Sequence, residues 1–377
     1  MKETAKKAVH EHGLGTSNNT GVTPHTLYLR STRQRIIVLL VEFILLLLLL
    51  AISVRAGTVE IPVRDIFSIL TSGKSLEAES GTFDMTAYIV LQVRLPRIIM
   101  ALVTGMVLSS GGVIMQALLQ NPLASPYTLG ISSGASFGAG LAIVLGTSLF
   151  GLTLVQHGRI IIAVNAFLFG LFTFAIVYGI AQIKKGSASL LILSGVAVGT
   201  IFSAGLSALK FFSDNEALKD LVVWLLGGFW GANWRNVIIL SPILVISLIV
   251  LIRMGWDFNT LNAGEEVAAT SGINVRRLRN ISMVLVTLSS STAIAFTGII
   301  GFVGLVGPHI TRSIIGLDNR FLILGSALTG ALLLLFSDTI ARTIIAPVEI
   351  PVGIITSLFG GPFFLYILLS RTKRVWN

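Results

Sequence analysis

Residues 94–138 read RLPRIIMALVTGMVLSSGGVIMQALLQNPLASPYTLGISSGASFG. From Ile98 to Leu118 this stretch carries no charge, and its length matches the roughly 20 apolar residues a helix needs to cross hydrocarbon. Pro122 and Pro126 then break the helix on steric grounds, and a second apolar run follows over 127–147. Gly130, Gly134 and Gly138 recur every four residues, which puts one smooth stripe along the second helix. Gly105, Ser109, Gly112 and Gln116 make a comparable small-residue seam on the first, closed by one amide. Lipid offers no hydrophobic drive to helix association, so such seams serve close backbone packing.

The rest of the chain repeats the pattern. Of 377 residues, 54% are hydrophobic and 12% charged, against about one-quarter charged in soluble domains, and the mean hydropathy is +0.88. A soluble enzyme is excluded. The absence of Cys excludes a disulfide-built secreted domain and a thiolate zinc site. Apolar runs lie near 36–54, 98–118, 127–147, 160–182, 190–211, 237–254, 281–299, 302–315, 321–341 and 352–370. The expectation is an all-α polytopic membrane protein with ten spans over 36–377, preceded by a polar cytoplasmic tail, 1–35, without fixed structure. The 302–315 run is short and holds Pro308 and His309, as a broken or tilted helix would. Leu221–Gly231 is apolar but too short to span, and reads as a segment dipping in from outside.

Orientation follows the basic residues, because cytoplasmic loops accumulate Lys and Arg. With both termini inside, nearly twice as many Lys and Arg fall on inner segments as on outer ones. The net charge of +10 is scattered over short loops, so a nucleic-acid partner is excluded. Only two acids lie within the runs, Glu42 and Asp338. Arg342 follows Asp338 by four residues on the same helix face, and structural pairing is expected for both acids. An ion-driven carrier needs more intramembrane acids than this. Ser72-Gly73-Lys74-Ser75 ends like a phosphate-binding loop, but Ser68 stands where its first Gly is required. Leu108-Ser109-Ser110-Gly111-Gly112 imitates an ATPase signature from inside a span. The chain shows no catalytic motif, so ATP, if it is used, is bound by another subunit.

The loop 255–279, GWDFNTLNAGEEVAATSGINVRRLR, is the longest between inner span ends. Leu261–Thr270 is helix-compatible, Gly272 suits a helix end with positive φ, and Asn274 can cap a second short helix. Two amphipathic helices joined at a Gly make a compact cytoplasmic knob. The acids Glu265 and Glu266 run against the charge rule there and suggest a protein partner.

The 94–138 string strongly resembles the FecCD-type permeases of ATP-binding-cassette importers, which move ferric siderophores, haem and vitamin B12. The resemblance continues through LLILSGVAVG (190–199), WLLGGFWGANW (224–234), the 255–279 loop, GFVGLVGPHITR (301–312), SDTIART (337–343) and EIPVGIITSLFGGPFFLYILL (349–369). It leaves out only the N-terminal tail. The implied fold is that of the vitamin B12 permease, the type II importer fold.

The resemblance also implies roles. Arg94, Arg97 and Arg342 match outer-face positions that receive acids of a substrate-binding protein, a task suited to a planar guanidinium fork. Glu265, Glu266, Ala268 and Gly272 match the coupling helices, Leu261–Arg279, that sit in a cleft of the ATPase subunit. Ala188 and Ser189 fall at the cytoplasmic gate between the fourth and fifth spans. The chain itself is then no enzyme and holds no cofactor or metal. ATP and Mg belong to two ATP-binding subunits. The other implied partners are a second permease subunit (identical or paralogous), an extracellular or periplasmic substrate-binding protein and the lipid of a bacterial cytoplasmic membrane. Iron(III)–siderophore is the expected cargo. Vitamin B12 and haem are alternatives within the family, and an ion-coupled secondary transporter is the rival from another class.

Overall fold

The computed structural model describes residues 24–57, 59, 61–72, 84–146, 158–183 and 187–371. Among these residues there are helices and no strands. In chain order the helices are α1 (Pro24–Arg55), α2 (Val63–Ser72), α3 (Met85–Leu118), α4 (Ile131–Leu145), α5 (Arg159–Ile183), α6 (Ala188–Phe212) and α7 (Asn215–Leu226). There follow α8 (Trp234–Arg253), α9 (Gly255–Asn262), α10 (Glu265–Thr270), α11 (Val275–Thr297), α12 (Val303–Ile315), α13 (Asn319–Thr343) and α14 (Val352–Arg371).

Every one of the ten apolar runs falls on a helix. Seven of these (α1, α3, α5, α6, α8, α11 and α13) are long and apolar enough to cross a membrane alone. The 15 residues of α4 and the 13 of α12 rise only about 20 Å each at 1.5 Å per residue, so they reach part of the way. Phe302, with φ +66, and the extended turn before it account for the shortness of α12. The segment read as dipping from outside, Leu221–Gly231, is helical only up to Leu226, as the second half of α7, which is capped by the Asp214 carboxylate accepting from the Ala217 amide at 2.7 Å and has Leu221 buried beneath it. One boundary differs. The first helix starts at Pro24 rather than near residue 36, while residues 1–23 and Gly73–Ser75 lie outside the described residues.

Two helices form the axis. About 83% of the apolar window of α3 is buried and 72% of that of α13, whereas α1 lies at the edge with 17%. Their contact depends on absent side chains: a Cβ on Gly105 would stand 2.2 Å from the Gly330 carbonyl oxygen, and one on Gly112 would stand 1.9 Å from that of Gly304 in α12. The small-residue seam of α3 is thus a helix interface, as its composition implies. The Gly stripe of α4 does the same against α5, where a Cβ on Gly134 would meet Thr173 Oγ1 at 1.8 Å. Near its start α3 contains a π-helical turn, Ile89–Arg94, immediately before Pro96. The wider turn absorbs a residue that has no N–H to give and would otherwise clash with the preceding turn.

Backbone also meets backbone where the segment linking α7 to α8 touches the end of α11 and the start of α14. A Cβ on Gly227 would lie 2.2 Å from Ile299 O, Gly228 N donates to Thr297 O at 2.8 Å, and a Cβ on Gly353 would lie 2.1 Å from Leu226 O. Most of the apolar core falls into two parts along α3, with a small third cluster of Leu46, Leu328 and Ala331. One part gathers Ile98, Val54 and Leu335, and the other gathers Leu118, Phe258 and Leu278.

Candidate functional site

The polar features sit at the two ends of α13, which begins next to α9 and ends at Thr343. At the second end the three arginines singled out from the sequence come together, but they turn inward. Arg94 is 4% exposed and spends its guanidinium on the end of α1, donating to Val54 O at 2.7 Å, to Arg55 O at 2.9 Å and to Val59 O. The last carbonyls of a helix have no intrahelical partner, and a cation suits their negative dipole end. Gly57 leaves room beside it, since a Cβ there would lie 2.8 Å from Arg94 Nη2.

Arg97 donates through Nε to Asp338 Oδ1 at 3.0 Å and through Nη1 to Glu349 Oε2 at 2.7 Å. Arg342 pairs through Nε with Asp338 Oδ2 at 3.0 Å, and its terminal nitrogens donate to Ala56 O at 3.0 Å and Ser53 Oγ at 2.7 Å. One buried acid therefore bridges two arginines, and the end of α1 supplies the remaining acceptors. The Asp338–Arg342 pair was legible at i, i+4, whereas the shares of Arg97 and Glu349 were not. Only proximity in space joins residues 241 and 252 positions apart. In the single chain none of the three arginines presents an open fork.

At the other end, α9 and α10 form the knob. Its break lies at Gly264, whose φ of +127 and ψ of 150 are open only to glycine, rather than at Gly272. Gly272 does take a positive φ, +83, as expected. Asn274 caps the 23-residue α11 by accepting from the Arg277 amide at 2.9 Å, not a short helix. Glu265 pairs with Arg279, Glu266 is exposed, and Ala268 is fully buried under α10. Phe258 and Leu261 are sunk in the core, so α9 is part of the bundle and α10 carries the outward face.

Ala188 and Ser189 open α6, half-buried and exposed respectively, behind the Ser187 cap that accepts from Leu190 N at 3.3 Å. The outward face of this helix mixes Val196, Thr200, Ser203 and Ser207, a hydroxylated stripe on an otherwise apolar span. Glu42, expected to pair structurally, is 7% exposed and accepts from Thr329 Oγ1 at 3.1 Å, with Thr311 behind it at 2.8 Å from that hydroxyl. No ion pair forms with it among the described residues.

The comparisons with known proteins agree with one another. A family model described as the FecCD transport family matches residues 45–370. A putative ABC transporter permease protein of Methanocaldococcus jannaschii is 45% identical over 294 residues, covering 76% of this chain and 83% of its own. A hemin transport system permease protein of Yersinia pestis is 38% identical over 296 residues, covering 78% and 87%. Among solved structures, an inward-facing putative metal-chelate type ABC transporter matches with a TM-score of 0.74 at 30% identity, over 88% of this chain and 98% of that one.

Proposed function

We infer the function from one premise: the chain belongs to the FecCD transport family and is a multi-pass permease of the ABC-importer type. It carries an iron(III) chelate of the siderophore class across a bacterial cytoplasmic membrane, with both termini inside. The family match over residues 45–370 is the observation that carries this reading. Relatives are named for hemin, Fe(3+)-citrate, cobalamin and molybdate, so iron chelates recur without being universal. Hemin is the second reading, supported by the 38% identity to the Yersinia pestis permease.

The work is divided among subunits. Two ATP-binding subunits supply ATP and Mg, and each seats a knob whose Glu265, Glu266 and Gly272 form the contact, with Ala268 packed beneath them. A second permease copy, identical or paralogous, completes the pathway. A substrate-binding protein delivers cargo at the end where Arg94, Arg97 and Arg342 cluster. Because these arginines are held internally, docking there exchanges Glu349 for an incoming carboxylate at Arg97. A bulky chelate needs a wide path that binds weakly, and the uncharged, hydroxyl-bearing face of α6 above Ala188 and Ser189 suits one. Rocking of the spans as the ATPases close on ATP changes which side is open.

The test is ATP hydrolysis by the co-purified complex in proteoliposomes. Stimulation by a binding protein loaded with ferric siderophore, and not by hemin or cobalamin, is the expected result. Uptake driven by an ion gradient with no ATPase present would overturn the reading.

A further inference from the structure

We propose that the Asp318 side chain is the joint through which motion of the knob reaches the spans, with Asn259 of α9 as the residue that engages it. The inference rests on the coupling role proposed for the knob.

Asp318 precedes α13 and is nearly buried, its side chain 10% exposed. Its two oxygens collect groups from three helices. Arg35 of α1 donates from Nη1 to Oδ2 at 2.7 Å. Arg320 of α13 donates from Nε to Oδ1 at 2.9 Å and from Nη2 to Oδ2. Asn259 of α9 donates from Nδ2 to Oδ1 at 2.9 Å. Arg35 also donates from Nε to Ile315 O at 3.2 Å, which adds the end of α12. Asn259 works in both directions, since its Oδ1 accepts from the Asn319 amide at 2.7 Å and from Asn319 Nδ2 at 3.0 Å.

Packing reinforces this polar knot. The Arg320 guanidinium lies over the Trp256 ring at 3.9 Å, and a Cβ on Gly255 would come within 3.0 Å of Arg320 Cα. Helix α9 is thus fastened to α13 by stacking, by close backbone approach and by a closed ring of hydrogen bonds. Along the chain it is joined to α10 through Gly264, whose positive φ sets the change of direction, and to α8 through the turn at Met254.

The mechanical consequence follows from where the held elements go. A push on α10 reaches α9 across the short link at Gly264, and α9 passes it to the Asp318 carboxylate. From there α1, α12 and α13 move together, and α13 lies against α3 at Gly105 and Gly330. Without Asn259 or the Asp318 charge, the knob can follow the ATPases while the spans lag behind. Asp318 and Asn259 are positioning residues, since neither touches ATP or cargo.

The experiment compares complexes carrying wild type, Asn259→Ala, Asp318→Asn and the exchange Asn259→Asp with Asp318→Asn, reconstituted with their ATPases and loaded binding protein. The readout is ATP consumed per cargo delivered, which a merely structural defect that lowers the amount of complex would not change. Both single variants are expected to keep hydrolysing ATP while that ratio rises about fivefold. The exchange returns one carboxylate to the joint and is expected to bring the ratio back toward wild type. Asn259→Ala removes no charge, so its ratio alone tests the joint if Asp318→Asn fails to assemble. An unchanged ratio in Asn259→Ala overturns the joint and leaves the permease reading intact. A wild-type complex that hydrolyses no ATP in response to any loaded binding protein overturns both.

Discussion

Arg97 of α3 donates from Nε to Asp338 of α13 at 3.0 Å, and the far oxygen of the same carboxylate faces Arg342. The Asp338 side chain is fully buried, so its charge is tolerated only because two cations share it. Removing the acid strands both guanidiniums. Asp338→Ala is therefore expected to destabilise the folded chain by about 3–5 kcal/mol, the usual result of breaking a buried pair from one side. Asp338→Asn, which keeps an acceptor for Arg97, should lose less. Thermal unfolding in detergent measures both, and equal melting of wild type and Asp338→Ala would show that the bridge carries no load.

The contact between α3 and α13 makes a second prediction with a built-in control. Ala is ordinarily favoured over Gly inside a helix. At Gly105 the added methyl carbon meets the Gly330 carbonyl oxygen at 2.2 Å, and backbone cannot swing aside. Gly105→Ala should cost about 1–3 kcal/mol through overpacking. Gly179, with nothing within 4 Å, should accept Ala without loss. Yield and melting temperature of the two variants decide it, and equal loss in both would point away from helix packing.

The Glu349 side chain is 28% exposed, the most accessible of the acids paired with the arginine cluster. If an acidic binding protein docks at this end, Glu349 competes with it for Arg97. Glu349→Gln should then tighten docking and steepen its dependence on salt, because more of the contact passes through intermolecular charge. Binding of the unloaded and loaded protein to nanodisc-held complex, at two salt concentrations, reads this out. Weaker docking in Glu349→Gln would place Glu349 in the contact itself.

Asp318 supplies a pH dependence. Burial pushes its carboxyl upward, but the hydrogen bonds from Arg320 and Asn259, with the Arg320 charge, more than offset this and bring it from 3.8 down to about 2. A group depressed in the folded state stabilises it above the unfolded value and ceases to do so once protonated in both states. The melting advantage of wild type over Asp318→Asn should be constant above about pH 5 and fade between about pH 4 and pH 2. An advantage that grows on acidification would contradict the charge network around this side chain.

The knob shows where local reading succeeds and fails. Gly272 with positive φ and Asn274 as a cap were legible, because both are decided within three or four residues. The placing of the break at Gly264 was not. Two glycines in the loop satisfy the same local rule, and only the sinking of Phe258 and Leu261 into the core selects between them. The arginines divide in the same way. Their identity as one group was visible through resemblance, but their direction was not, since α1 offers its unpaired carbonyls and Glu349 its carboxylate only after the chain has folded.

Hydrophobic run length, proline breaks and the four-residue spacing of glycine are properties of consecutive residues, and they determined an all-helical membrane bundle, the ten apolar runs that became helices and two of its tightest seams. Which charges meet is a different kind of fact. Arg97 finds Asp338, Arg35 finds Asp318, and Asn259 finds Asn319 across separations that no periodicity spans. Inside a low-dielectric bundle a charge must find a partner wherever packing brings one near, so those pairings belong to the tertiary structure alone.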